Sequence, residues 1–180
     1  MKLVMFAGLR GWIHVKMLKE RKKIMEIERK WLLKSFPDMT GATHREMETI
    51  YLSTDPEIRV RKITFDNGEC KYVLTLKSNG GLSREEYESE VIDQIFEGAK
   101  RMAPIPPIYK EQYKMELGDH VIEFNNVDNN TFLYAEVEFK SEEEANTYKF
   151  PFDGIVIEEV TYDPKYKMKN YWKESVRLHT

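Results

Sequence analysis

Charged residues recur through this chain at a spacing of two. Glu26, Glu28 and Lys30 are separated by single residues, as are Arg59 and Arg61, and Thr75 and Lys77. The same holds for Glu86, Glu88 and Glu90, for Lys110 and Gln112, and for Glu136 and Glu138. In a β-strand, residues two apart point to the same side. Each row therefore presents its charges together, opposite apolar residues such as Ile58 and Val60, or Ala135 and Val137. For one strand this is the polar face of any half-buried sheet. Across strands it is less ordinary, because like charges about 7 Å apart repel by roughly 2 kcal/mol at an effective dielectric of 20. A face selected for solubility would mix signs within each strand, whereas here Glu-x-Glu rows and Arg-x-Arg rows are segregated. Carboxylates clustered without His or Cys suit a hard cation such as Mg²⁺ or Mn²⁺. Arg and Lys converging from several strands suit phosphate. Together they describe a site for a metal-complexed polyphosphate.

Such rows need strands to carry them. Alternation predicts strands over 25–33, 47–53, 57–65, 70–78, 83–91, 107–116, 120–127 and 132–140. Asp66-Asn67-Gly68, Asn79-Gly80-Gly81, Gly118-Asp119 and Asp128-Asn129-Asn130 lie between consecutive candidates and supply residues that tolerate positive φ. Helices are few. Residues 91–102 set Val91, Ile95, Ala99 and Met102 on one side, Ser141 with Glu144 reads as a capping box, and Asp163-Pro164 opens a last helix. The class is α+β with a dominant antiparallel sheet, which periodicity alone leaves either open or closed. Tyr162, Tyr166, Tyr171 and Trp172 are expected to pack that last helix against it, with stacking on the ring of a ligand as the alternative.

The chain has 180 residues, 41% hydrophobic and 33% charged, enough for one domain and too aromatic for general disorder. No apolar run approaches the ~18 residues of a membrane span. The single Cys70 forms neither an internal disulfide nor a Cys-rich zinc site, and a reducing, cytoplasmic setting is expected. His14, His44, His120 and His179 show no metal spacing, and Gly80-Gly81 lacks the Lys-Ser/Thr of a phosphate loop. The net charge of −3 hides an asymmetry: residues 1–24 hold seven Lys or Arg against Glu20 alone, so the remainder is acidic. An acidic body excludes a general nucleic-acid binder. The basic start lacks the order of a signal peptide. Lys19-Glu20-Arg21-Lys22-Lys23 before Met25 has the look of a translated leader, with a native start at Met25 or Met17. The expected division is an N-terminal extension, 1–24, and a domain, 25–180.

Glu26-Ile27-Glu28-Arg29-Lys30 carries the Glu-x-Glu-x-Lys signature of the CYTH domain, or triphosphate tunnel metalloenzyme, family. Tyr51-Leu52-Ser53-Thr54 with Arg59-Val60-Arg61, Leu74-Thr75-Leu76-Lys77, Ser83 through Val91, Ala135-Glu136-Val137-Glu138 and Glu159 through Asp163 resemble the family's later strands in order. The resemblance implies an eight-stranded antiparallel β-barrel around a charged tunnel, in a monomer or homodimer. It implies Mg²⁺- or Mn²⁺-dependent hydrolysis of a small triphosphate, inorganic tripolyphosphate first, with thiamine triphosphatase, adenylate cyclase and a weak polyphosphate-binding module as alternatives. On this resemblance Glu26, Glu28, Glu136 and Glu138 hold metal. Lys30, Arg59, Arg61, Lys77, Arg84 and Lys110 hold the triphosphate. Glu86, Glu88 and Glu90 line the wall, and Lys30, Glu88 and Glu90 are the catalytic candidates. Two positions depart from the pattern: Gln112 stands where the family carries an arginine, and Asn125 where it commonly carries Asp. Gln112 thus reads as a lost phosphate clamp that Gln112→Arg would restore, the competing reading being a contact to a nucleobase or to a metal-bound water, which arginine would damage.

Overall fold

The computed structural model describes residues 24–179; the basic extension lies outside them, apart from Ile24. Eight strands close into an antiparallel barrel: β1 (Ile24–Leu33), β2 (Thr43–Thr54), β3 (Glu57–Phe65), β4 (Cys70–Lys77), β5 (Ser83–Glu90), β6 (Ile108–Leu117), β7 (His120–Val127) and β8 (Phe132–Glu138). The order around the wall is β5-β4-β3-β2-β6-β7-β8-β1, and β1 returns to β5. β1 manages this by dividing its length. Residues 24–27 pair with β5, while residues 28–33 pair with β8 on the other edge. Beyond the reach of β5, a ninth strand, β9 (Val156–Glu159), takes the free edge at Trp31, Leu32 and Leu33. The sheet question left open by periodicity is settled in favour of closure.

The barrel is apolar outside and charged inside. On one flank Ile27, Trp31 and Leu33 of β1, Ile122 and Phe124 of β7 and Ala135 and Val137 of β8 form a core with Phe139, Ala145 and Phe150. Helix α2 (Glu142–Thr147) and its flanking residues cover that face, and Phe150 stacks on Trp31 at 4.6 Å. On the other flank Ile50, Val60 and Val127 pack with Phe96 and Ala99 of α1 (Asp93–Met102) and Trp172 of α3 (Met168–His179). Covering the outward apolar rows with helices leaves the charged rows to fill the lumen. Among the described residues, no helix is long and apolar enough to cross a membrane.

Several local expectations are revised. α1 buries Phe96 and Ala99 and leaves Ile95 and Met102 exposed. The helix is rotated so that its largest apolar ring, and not the longest apolar stripe, meets the barrel. Phe96→Ala should accordingly cost about 3–5 kcal/mol, readable as a fall in the urea midpoint at unchanged slope. Gly68, Gly118 and Asp128-Asn129-Asn130 take positive φ as expected, whereas Gly80 and Gly81 do not. Gly80 is needed for a close approach instead: a Cβ there would stand 2.4 Å from the Ser83 carbonyl oxygen. Ser141 caps α2 through Glu144 N–H, but the Glu144 carboxylate reaches back to Lys140 N–H, one residue before the cap. Pro164 opens a single 3₁₀ turn, Pro164–Tyr166, and the α-helix starts only at Met168.

Candidate active site

The lumen is a cavity of about 280 Å³ lined by side chains from all eight barrel strands. Register explains how the rows meet. Glu57 on β3, Lys77 on β4 and Glu86 on β5 are successive cross-strand partners, and Glu26 on β1 faces Arg84 on β5. Arg84 is the hub. Its Nε donates to Glu26 (2.6 Å) and its Nη1 to Glu57 (3.1 Å), with Glu28 at 3.6 Å from Nη2. Lys77 Nζ sits 2.5 Å from Glu26 and 3.1 Å from Glu86. Burial pushes the Glu26 carboxyl up, but Lys77 and Arg84 outweigh it and hold the group well below its ordinary value. The expected segregation into separate anionic and cationic rows therefore does not describe this end, where the rows neutralise one another.

Farther along, the balance fails in both directions. Among the described residues the side chain of Arg61 has one hydrogen bond, Nε to Thr49 Oγ1 at 3.2 Å, and Lys110 Nζ has one, to the Tyr134 hydroxyl at 3.2 Å. Neither has a carboxylate within ion-pairing distance among the described residues. Burial, compounded by Arg59, brings Arg61 down to about 10. Burial, with Arg61 and Arg59 adding to it against Glu136, brings Lys110 down to about 7. Arg59 itself leaves a buried Nε without a partner. Arg61 and Lys110 are thus cations held in place with no anion supplied, whereas Arg59 meets Glu57 Oε1 at 3.8 Å.

The β8–β1 wall is the reverse. Glu28 and Glu138 are direct cross-strand partners. Burial, then the neighbouring Glu136 and Glu26 charges, raises the half-buried Glu28; Glu138 keeps an exposed side chain at the rim, yet desolvation by the surrounding protein, then Glu123 and Glu26, raises it to about 7. Glu136 is restrained by Lys30 at 2.8 Å, which outweighs its burial. A hard cation fits this chemistry: the donors are all oxygens, and an added positive charge relieves the repulsion. As the side chains stand, no three acidic or histidine groups among the described residues converge on one point. Glu138 has no cation within ion-pairing distance among the described residues and Glu28 meets Arg84 Nη2 loosely at 3.6 Å, while Glu26 is occupied by Lys77 and Arg84.

Most expected residues thus line one cavity: Glu26, Glu28, Lys30, Arg59, Arg61, Lys77, Arg84, Glu86, Glu88, Lys110, Glu136 and Glu138. Glu90 does not. It ends β5 opposite Val73, exposed and outside the cavity, because a shared face does not mean a shared depth in a tilted barrel. Glu88 does reach the lumen and accepts from Thr75 Oγ1 at 3.0 Å. Other lining residues escaped the sequence reading, Glu57, Tyr134, Arg45 and Lys167 among them. Glu57 and Tyr134 were signalled by the same period of two, preceding Arg59 and Glu136. Arg45 lies in a part of β2 upstream of the predicted strand, and Lys167 follows the 3₁₀ turn, where no periodicity points inward.

Four likenesses bear on this geometry. The CYTH domain family model matches residues 25–159. The chain belongs to the CYTH domain family. An inorganic triphosphatase of Nitrosomonas europaea is 36% identical over 152 residues, covering 80% of this chain and 94% of that protein. The crystal structure of the inorganic triphosphatase NE1496 superposes with a TM-score of 0.59 at 31% identity, over 82% of this chain and 94% of its own. A second crystal structure of NE1496 gives 0.58 at 31% identity, over 81% and 96%.

Within this CYTH domain the two departures are neighbours. Gln112 and Asn125 are cross-strand partners on β6 and β7. Gln112 faces the lumen as expected, but it is 1% exposed and its amide is fully engaged, with Arg45, Glu123 and Asn125. It is no vacated clamp awaiting an arginine.

Proposed function

We propose that this CYTH domain hydrolyses inorganic tripolyphosphate with the help of Mg²⁺ or Mn²⁺. The observation that carries the reading is the pair Arg61 and Lys110, which no carboxylate among the described residues meets, beside Arg59, whose ion pair to Glu57 is long at 3.8 Å, all in a cavity whose other wall carries excess carboxylate. Folding such cations without a counter-ion costs stability. That cost is intelligible if a polyanion completes the site. Identity to the Nitrosomonas europaea inorganic triphosphatase supports the choice of substrate.

In this reading Arg59, Arg61 and Lys110 grip the phosphates, with Lys30, Lys77 and Arg84 adding charge from the paired end. Glu28, Glu136 and Glu138 would hold the divalent ion, and Glu26 would join them if Lys77 or Arg84 turned to phosphate. A bound divalent cation supplies charge neutralisation at the phosphoryl oxygens and lowers the pKa of water. Fixed cations do the same for charge developing on the leaving phosphate during in-line attack, without reorganisation. Glu88, oriented by Thr75, is placed to accept a hydrogen bond from the attacking water. Glu90 has no part.

Phosphate release from tripolyphosphate, thiamine triphosphate, ATP and longer polyphosphate, each with Mg²⁺ and with Mn²⁺, tests the reading. Tripolyphosphate should give the highest kcat/KM, and excess chelator should abolish turnover. Faster turnover of ATP, or full activity in chelator, would overturn it. Glu28→Gln keeps the shape and should weaken Mn²⁺ binding by at least about tenfold in calorimetry.

A further inference from the structure

Gln112 and Asn125 are among the most deeply buried polar side chains of the protein, at 1% and 0% exposure. The chemistry around them fixes which way each amide points. Arg45 Nε lies 2.6 Å from Gln112 Oε1, and a guanidinium can only donate. The Gln112 oxygen must therefore face Arg45, which sends its NH₂ to the other side. There Nε2 donates to Asn125 Oδ1 and to Glu123 Oε2, both at 2.8 Å. Because Asn125 accepts on its oxygen, its own NH₂ is turned away, toward the Glu123 carbonyl oxygen at 2.9 Å and Glu136 Oε2 at 3.4 Å. Glu136 is then held on both oxygens, by Asn125 on one and Lys30 on the other. The hydrogen bonds run in one direction, from Arg45 through Gln112 and Asn125 to Glu136.

We propose that Gln112 and Asn125 are positioning residues, a directional amide relay from Arg45 that aims the Glu136 carboxylate for cation binding. The proposal rests on the reading of Glu136 as a metal-binding carboxylate. Neither amide has a free donor or acceptor aimed into the lumen, so neither touches substrate. The relay works only while position 112 accepts from Arg45 and donates to Asn125 at once. Glutamate is isosteric and keeps the Arg45 contact, but its carboxylate cannot donate. Asn125 would then flip to give its NH₂ to the new carboxylate and so present its oxygen to Glu136.

Gln112→Glu and Gln112→Met test this, with the intact protein as reference. Mn²⁺ binding is measured by calorimetry without substrate, and kcat and KM on tripolyphosphate at saturating metal. Both variants should lose about ten- to a hundredfold in Mn²⁺ affinity and in kcat, the range for residues that orient metal ligands, with KM within about twofold. Gln112→Glu should also recover toward the reference as pH falls, since a protonated glutamic acid donates again, whereas Gln112→Met should not. Should Gln112→Glu fail to fold beside Glu123, the neutral Gln112→Met carries the affinity measurement. Unchanged Mn²⁺ affinity in a folded variant would reduce the relay to packing. A rise in KM at constant kcat, or a fall in KM for Gln112→Arg, would make position 112 a substrate contact. Either result overturns the proposal, and wild-type turnover of tripolyphosphate separates its failure from failure of the functional reading.

Discussion

Arg61→Met should lower kcat/KM on tripolyphosphate by about two to three orders of magnitude and yet raise the melting temperature of the ligand-free protein. The loss follows from deleting a charge-assisted, bidentate phosphate contact in an enclosed site, where truncating one partner costs roughly 2–5 kcal/mol. The gain follows from what Arg61 lacks. With no carboxylate partner and Arg59 nearby, its charge destabilises the empty fold, and methionine keeps an unbranched stem without it. Replacing a buried ion pair with apolar residues is worth about 1–4 kcal/mol, and removing the half-buried, unpartnered Arg61 charge should give part of that, a few degrees in a domain of this size. Tripolyphosphate should invert the order. At 100 times its Kd it adds about 2.7 kcal/mol to the wild type and far less to Arg61→Met. Lys77→Met should behave oppositely, because it takes the ion-pair partner from Glu86 and leaves Glu26 with Arg84 alone. It should lower the melting temperature with or without ligand. If Arg61→Met also melts lower than wild type when empty, Arg61 is part of the scaffold and not a cation kept for substrate.

The distinction between Arg61 and Lys77 was beyond the sequence, although both belong to rows that the sequence displays. Alternation tells which side of a strand a residue occupies, and it placed the lumen-facing charges of all but one row correctly. It does not tell which row lies opposite which. That depends on strand order and stagger, and only the closure of β1 on β5 brings Arg84 against Glu26. Glu90 shows the same blindness along the axis, since it shares the face of Glu86 and Glu88 but ends the strand outside the cavity. β9 escaped notice because Val156–Glu159 has four residues, two of them acidic, and exists as a strand only by using the edge of β1 left free beyond β5.

The barrel was more legible than its coverings. Positive-φ residues at Gly68, Gly118 and Asp128-Asn129-Asn130 mark three hairpins that local chemistry dictates. The face that α1 buries is decided by tertiary packing, in which Phe96 wins over Ile95 and Met102. Gln112 is the instructive case at the site. Its orientation toward the lumen could be read from Lys110, but its saturation depends on Arg45 and Asn125, supplied by two other strands.

Binding of tripolyphosphate at about pH 8.5, without added metal, should take up close to one proton, and Kd should weaken by up to about tenfold per pH unit above neutrality. The source is Lys110. Burial, with Arg61 and Arg59, lowers it to about 7 in the empty cavity, against about 10.4 for an unfolded lysine. Between those values the unfolded chain binds more protons than the folded one. Stability from this group therefore rises with pH across that window, and the cost of charging Lys110 is fully present below it. A bound polyanion reverses the local field and returns the ammonium form, so the proton comes from solvent. At this pH Glu138, raised only to about 7, is largely ionised before the ligand arrives. Calorimetry in two buffers of different ionisation enthalpy counts the protons. Lys110→Arg keeps the charge but cannot release it in this range, so it should bind tripolyphosphate with little uptake and a flat pH dependence. Equal uptake by wild type and Lys110→Arg would place the titrating group elsewhere, and Lys110 would then be an ammonium that stays charged in the empty tunnel.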